Sequence, residues 1–557
     1  MIKDFRKLLK FKNIYLVLLV TLIVVFFEFV SYGLAYPIIS IFLDLDQGLI
    51  PKINNFIFQY TNYQLNLDEK LIVIFLIIVL FLQSLSFVLF RYLVIKSTLR
   101  YLHDLRYRIY NNFFSTSYNP NKSISETLNA MTTQSLNSFH FWNLYIECIK
   151  RLLIIIAITV LFVLISFKIL LTSVLILGIL VFFTNKISKL SKNYGRNMTI
   201  IDQNYLQRSS ESLRNYRYIK ITNIKDKIFL SIKKKIEDYN TNQFYFTMLS
   251  KLIKETSEPI AIILIILIGY TSTYLLDANI SLVIISVLLL RRLIAHIFAL
   301  FNSYQSLLKN RESLIYIEKI SNNFNNVETD YNIKLRKQFQ NIKLQNISYD
   351  YGLNKKIFYN LNLDLDKYSS IIIFGKSGSG KSTLINLITG IIHPNSGKVL
   401  YNDVDINKNN NERNAFNIGM VSQDEVVFNM SLLDNFLLRN PKAKKTKIYE
   451  LINLLGLNSL FKDNKIDLSI NVNESNSNLS GGEKQKIAII RELLSEPDFL
   501  ILDEPTSSLD KISLIKCIKL FKKISSKTTM IIFTHQHEYN LLPFKKYNIQ
   551  KNKLYKK

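Results

Sequence analysis

With 557 residues the chain has room for at least two domains, and 49% apolar residues with a mean hydropathy of +0.15 exclude an ordinary soluble protein. A formal charge of +28 raises nucleic acid as a partner, but no nucleic-acid-binding module is recognisable, and Lys and Arg flank apolar segments as cytoplasmic loops do. The two cysteines, Cys148 and Cys517, lie far apart and make neither a disulfide framework nor a metal-ligand spacing.

The basic start MIKDFRKLLKFKN leads into an apolar run, Ile14 to Leu43. No small-residue cleavage site follows, so the run reads as a membrane helix, bent or broken near Gly33 and Pro37, and not as a cleaved signal. Glu28 sits inside it, where a carboxylate is costly and either finds a partner in the bundle or marks function. Next, Ile53, Phe56, Ile57 and Tyr60 recur at helical spacing. They predict a short amphipathic cap on the bundle, with a lipid-touching helix as the alternative.

A second span runs from Leu71 to about Ile95 and contains Arg91. A third, Leu152 to Phe167, is joined through Lys168 to a fourth, Ile169 to Phe183. The fifth, Pro259 to Leu276, turns at Asp277-Ala278-Asn279 into the sixth, which starts at Ile280 and passes Arg291 and Arg292 to Phe301. Each is near the length needed to cross the hydrocarbon. Lys96 to Arg151 and Asn185 to Glu258 are basic and helical in pattern, so by the positive-inside rule they and both termini are cytoplasmic. The spans predict a six-helix membrane bundle over residues 1–320 with long cytoplasmic extensions, and Lys309 to Gln340 read as a polar connector whose part 321–340 is the linker. A soluble domain of α/β P-loop type follows over 341–557. No internal repeat is visible.

The soluble part is organised around Ile371 to Thr383, IIIFGKSGSGKST. A short apolar strand of the kind buried in a parallel sheet runs into a glycine-rich loop: Gly375, Lys376, Ser377, Gly378, Ser379, Gly380, Lys381, Ser382, Thr383. The glycines let consecutive N–H groups turn inward on phosphate oxygens, Lys381 reaches the β/γ-phosphates, and Ser382 offers a hydroxyl to Mg²⁺. Strand before and helix after argue against a flexible linker and for nucleoside triphosphate binding. Four further stretches follow. Gln423 ends a strand-like run; Leu479-Ser480-Gly481-Gly482-Glu483 precedes a helix; Phe499-Leu500-Ile501-Leu502 delivers Asp503 and Glu504; Met530-Ile531-Ile532-Phe533-Thr534 delivers His535. Asp503 suits Mg²⁺, Glu504 suits polarising a water, and His535 suits a contact to the γ-phosphate.

Taken together, GKSGSGKS, Gln423, LSGGE, FLILDEP, Ser508-Leu509-Asp510 and Thr534-His535 resemble the nucleotide-binding domain of an ABC transporter, and six spans ahead of one such domain resemble an exporter half-transporter. The resemblance implies ATP and Mg²⁺, the latter held by Ser382, Gln423 and Asp503, with Glu504, His535 and Gln423 catalytic. It implies adenine stacking on Tyr351 and contacts to the γ-phosphate from Ser480, Gly481 and Gly482 of a second copy. A homodimer in the bacterial inner membrane follows, with a heterodimer with a related half-transporter as the alternative. Glu474 stands where such exporters carry a carboxylate that communicates with the membrane domain, and Glu483 replaces the usual Gln of the signature.

The cargo is read less directly. Glu28 and the cations Arg91, Lys254 and Arg292 resemble the pattern of flippases of lipid-linked oligosaccharides, which implies a polyprenyl-diphosphate-linked saccharide; snorkelling to water is the bland account of the same cations. An exporter of peptide, lipid or drug-like compounds is the alternative. A soluble ATPase acting on nucleic acid is excluded by the spans and by the single nucleotide domain.

Overall fold

The computed structural model describes residues 13–42, 69–115, 124–165, 167–171, 208–274, 280–322, 337–352, 356–407, 415–424, 426–457, 461–462, 465–472 and 479–557, with single positions between 8 and 11 and between 178 and 205. The chain divides into two compact units, the first reaching Asn326 and the second beginning at Val327.

The first unit is helical. It contains α1 (Ile14–Phe42), α2 (Glu69–Ser115), α3 (Ile124–Asn129) running through a π-helical turn (Ala130–Gln134) into α4 (Ser135–Ile165), then α5 (Tyr216–Thr222), α6 (Lys225–Tyr274) and α7 (Ile280–Asn322). Among the described residues four helices are long and apolar enough to cross a membrane, within Ile14–Ala35, Lys70–Phe114, Ile124–Ile165 and Val283–Ile320. They carry the first, second, third and sixth expected spans. The fifth lies in α6, whose helix runs on through Pro259. Most of the fourth, and residues 53–60, lie outside the described residues.

Two expectations are corrected. The first helix is not broken: α1 continues past Gly33 and Pro37 to Phe42. A proline removes only the hydrogen bond to the carbonyl four residues earlier, here that of Gly33. Gly33 lies against α4, where a Cβ would be 3.4 Å from the Leu161 side chain. Nor is 309–322 a loose connector, because it is the last part of α7. Its polar residues hide an inner face in which Leu314 joins one apolar cluster and Ile317 packs with Leu105, Ile109 and Ala130 in another.

Length explains the long extensions. α2 has 47 residues, so at about 1.5 Å per residue it is more than twice as long as the ~30 Å hydrocarbon. Along it Leu71, Ile74, Ile78, Phe81, Leu85 and Val88 stand exposed at steps of three and four, an apolar row fit for lipid, while Ile72, Val79, Phe90 and Val94 turn inward.

The second unit is an α/β domain. An antiparallel sheet of β1 (Asn341–Asp350), β2 (Lys356–Asp366), β4 (Ser396–Tyr401) and β5 (Val404–Asp405) takes the order β2-β1-β4-β5. The main sheet, in the order β14-β13-β3-β12-β11-β6, joins β3 (Ser370–Phe374), β6 (Ile418–Val421), β11 (Phe499–Asp503), β12 (Thr529–Thr534), β13 (Lys545–Gln550) and β14 (Lys553–Lys556). Its strands are parallel except for the edge strand β14. Short ribbons pair β7 (Met430–Ser431) with β10 (Asn471–Val472) and β8 (Phe461–Lys462) with β9 (Lys465–Ile466).

Strands β3, β11 and β12 are buried along their whole length because both sheet faces are covered. Ile372, Leu500, Leu502, Met530 and Ile532 enter one core with α9 (Leu432–Leu437), α10 (Lys445–Leu455), α11 (Gly481–Leu494) and α12 (Lys511–Ile524). Their alternates Ile371, Ile373, Phe499, Ile501, Ile531 and Phe533 enter a second core with α8 (Lys381–Ile388) and the antiparallel sheet. Period two along each strand therefore divides one apolar run between two cores.

Candidate functional site

The parallel strands end at one edge of the sheet, and the sequence puts a polar residue or loop after each. β3 runs into Gly375 and the loop to α8; β11 ends in Asp503 and is followed by Glu504; β12 is followed by His535. Register sets Leu502 beside both Val421 and Ile532, so the residues that follow β6, including Gln423, come to the same edge. Such an edge is where ligands bind in parallel α/β sheets.

The loop after β3 needs its glycines. Gly380, which caps α8, has φ +100°, and a Cβ there would lie 2.9 Å from the Phe358 ring. Gly378 has φ +76° with open space around it, leaving room for a ligand against the backbone. Lys376 and Ser377 form an exposed rim with Gly378, while the Ser379 hydroxyl is buried without a partner. Ser382 is exposed at the start of α8, and Thr383 is buried with its hydroxyl 3.2 Å from the Tyr351 phenol. The Tyr351 ring itself stays half-exposed beside the loop.

Lys381 and the strand ends meet directly. Lys381 Nζ donates to the Gly375 carbonyl at 2.8 Å and to Glu504 Oε1 at 2.7 Å, and His535 Nδ1 lies 2.9 Å from the same carboxylate. Glu504 is buried, with φ +49°, a strained backbone for a non-glycine residue. Its N–H donates to the Phe533 carbonyl at 2.9 Å, and its carbonyl accepts from Gln485 Nε2 at 3.0 Å, which hold that conformation in place. One carboxylate oxygen, Oε2, is buried without a hydrogen bond.

The two neighbouring acids are driven apart. Burial, helped by the charge of Glu504, pushes Asp503 up to about 6 against the pull of Lys381. Burial also pushes Glu504 up, but hydrogen bonds from Lys381 and His535 and their charges outweigh it and hold Glu504 below the usual glutamate range. A crowded Asp503 beside Glu504, whose Oε2 also lies 2.9 Å from His535 Nδ1, fits a divalent cation and a polarised water. Among the described residues no three His, Cys, Asp or Glu side chains form a metal cage by themselves.

The signature residues gather at the start of α11. Ser480 is its N-cap, so Gly481 and Gly482 lie in the first turn of the helix and not ahead of it, as expected from the sequence. Glu483 closes a capping box: its Oε2 accepts from the Ser480 N–H at 2.7 Å and the Ser480 hydroxyl at 2.9 Å, while the Glu483 N–H donates back to Ser480 Oγ at 3.3 Å. Gln485, absent from the expected site, ties this helix to the end of β11. It is fully buried, and besides Glu504 it meets Ser507 Oγ at 3.3 Å and accepts from the Ser508 N–H at 3.2 Å. Glu474 lies outside the described residues.

In the helical unit the expected path residues separate. Arg91 is exposed on α2, and the Lys254 side chain lies outside the described residues. Glu28 and Arg292 are brought together. Arg292 Nε and Nη2 donate to Glu28 Oε1 at 2.8 and 2.7 Å, and His296, missed in the sequence, places Nε2 2.9 Å from the same oxygen. Its one sequence signal is its place four residues after Arg292, one turn along the same helix.

Comparison with known proteins agrees with this architecture. Residues 358–507 match the ABC transporter family, and residues 14–297 match the ABC transporter transmembrane region. The chain is similar to the lactococcin-A transport/processing ATP-binding protein of Lactococcus lactis, 32% identical over 197 residues, 35% of this chain and 27% of that protein. It is also similar to the alpha-hemolysin translocation ATP-binding protein of Escherichia coli O157:H7, 34% identical over 196 residues, 35% of this chain and 28% of that one. The match thus spans about a quarter of those relatives' length. A bacterial Atm1-family ABC exporter with ATP bound shares the fold, with a TM-score of 0.77 at 17% identity over 97% of this chain and 94% of that chain.

Proposed function

The chain belongs to the ABC transporter family, and from that premise we propose that it hydrolyses ATP to drive export of an amphiphilic substrate across the bacterial inner membrane. One transmembrane region followed by one ATPase domain is the layout of an exporter half-transporter. The observation that carries the proposal is the meeting of Lys381, Glu504 and His535 at the end of the parallel strands, beside a loop open to phosphate.

In this reading the loop N–H groups and Lys381 receive the phosphates, and Tyr351 offers its ring to the adenine. Ser382, Gln423 and Asp503 would hold Mg²⁺, which would supply charge neutralisation at the phosphates. Lys381 passes from Glu504 to phosphate, which frees the carboxylate to polarise water, and His535 steadies the charge that develops. Two copies complete each site, with Ser480, Gly481 and Gly482 of one facing the loop of the other. Both termini and the ATPase domain lie on the cytoplasmic side.

The finer reading of the cargo as a polyprenyl-diphosphate-linked saccharide asked Arg292 for positive charge along the path. Arg292 is engaged by Glu28, so that reading leans on Arg91. The relatives named for lactococcin-A and alpha-hemolysin favour a peptide as the second reading. The test is ATP-dependent uptake into inverted vesicles, comparing a labelled polyprenyl-diphosphate glycan with a labelled hydrophobic peptide. Uptake of either that needs ATP supports export. Uptake of neither, or uptake unchanged by Lys381→Ala, overturns it.

A further inference from the structure

The contact between α1 and α7 leaves chemistry unspent. Glu28 lies 14 residues into α1 and Arg292 lies 12 residues into α7, about 21 and 18 Å from the helix starts at about 1.5 Å per residue, within the length of a ~30 Å hydrocarbon. Glu28 is buried to 1% exposure and His296 to 8%. An arginine fork paired with a carboxylate commonly spends one N–H on each oxygen. Here Arg292 Nε, Arg292 Nη2 and His296 Nε2 all converge on Oε1. Glu28 Oε2 is left buried with no hydrogen bond.

His296 adds a second unspent atom. A carboxylate only accepts, so His296 Nε2 carries the hydrogen it gives to Glu28, and in the neutral ring Nδ1 is then an acceptor. That Nδ1 is also buried without a partner. Glu28 Oε2 is therefore a bare acceptor beside an already formed Glu28–Arg292 pair. Arg292 is further occupied by the Tyr32 ring, whose centroid lies 5.7 Å from its guanidinium carbon. About a third of the Arg292 side chain is exposed, while Glu28 is buried.

We propose that Glu28, Arg292 and His296 form a binding site for the hydrogen-bond-donating head group of an amphiphile, a protonated amine above all, and not for a phosphate. This deepens the reading of the chain as an exporter of amphiphiles and rests on it for its physiological sense. A phosphate would bring further acceptors to atoms that need donors, and would have to strip Arg292 from Glu28 first. An ammonium group brings a donor to Glu28 Oε2 and leaves the arginine pair intact. Bare acceptors at this depth are costly, and a ligand that satisfies them recovers that cost.

The test is equilibrium binding to the full-length protein in phosphatidylcholine nanodiscs, without nucleotide, counted as the excess over empty nanodiscs. Dodecylamine, dodecanol and dodecyl phosphate are compared. The expected result is saturable binding of the amine alone, weakened about tenfold or more by Glu28→Gln, a loss equivalent to one decade in Kd. Equal excess for amine and alcohol would mean chain partitioning or a buried water only, and would overturn the site. So would preferential binding of the phosphate, or full amine binding in Glu28→Gln. Should that variant fail to fold, the three head groups on the wild-type protein decide the matter alone. Because no ATP is present, failure here is distinct from failure of ATP-driven export.

Discussion

Glu504 shows how much one residue is made to hold. Its backbone is strained at φ +49°, its carboxylate is buried, and Lys381 and His535 both bind it. Strain of that kind persists only where the surroundings over-determine it, and Phe533 and Gln485 supply the bonds that do so. The placement of Lys381 in the loop and Glu504 at a strand end was legible in the sequence, because loop spacing and the apolar run before the acids mark both positions. Gln485 was not, since a glutamine in an amphipathic helix has no local sign of what it meets across the core. Glu483 was legible as a departure from the expected signature but not as a cap, although Ser480 and Glu483 stand at capping-box spacing. Removing the cap with Glu483→Ala should cost about 1 kcal/mol, which lowers the thermal midpoint of the ATPase unit by about 2–4 °C. Glu483→Gln keeps an acceptor and should lose less. Scanning calorimetry that finds both variants unchanged would show that the capping box does not stabilise α11.

At the scale of elements, the strands were the most legible parts. β3, β11 and β12 are apolar runs because every residue is buried, and the motif residue or glycine loop that ends each run marks it as a strand. Helix ends were poorly legible: toward the ends of α2 and α7 polar residues are mixed with the apolar ones, and Leu105, Ile109 and Ile317 are joined only by packing. Helix α12 starts at Asp510, whose carboxylate accepts from the Ile512 N–H at 3.2 Å and the Ser513 N–H at 3.3 Å. Hydrogen bonds from Ser513, side chain first and then backbone, hold Asp510 below its ordinary 3.8. A depressed carboxylate adds stability above its unfolded pKa and loses it as pH falls through the lower native value. The advantage of wild type over Asp510→Ala in thermal midpoint should therefore be full at neutral pH and shrink on acidification below about pH 4. A difference that stays constant down to acid pH would contradict a charged cap.

At the scale of the molecule, motif order revealed a membrane region followed by one ATPase domain. It did not reveal the tie from Glu28 to Arg292 and His296, which spans 264 and 268 residues of sequence. No local period carries such a contact, and only the packing of α1 with α7 creates it. The proposed dimer makes its own prediction. Lys381→Ala damages the loop and Ser480→Arg damages the signature, so each homodimer should be inactive. Co-reconstituted, they form mixed dimers in which one site keeps both intact halves, and hydrolysis should reappear. Complete silence of the mixture would contradict sites shared between copies.

The most direct test of ATP-driven transport is steady-state ATP hydrolysis by the purified protein in nanodiscs, wild type against Glu504→Gln, with and without added amphiphile. The account predicts Mg²⁺-dependent hydrolysis that rises saturably with the amphiphile and falls by about 10²-fold or more in the variant, the scale of a lost general base. Hydrolysis unchanged in Glu504→Gln would contradict the catalytic assignment, and hydrolysis indifferent to every amphiphile would contradict the coupling.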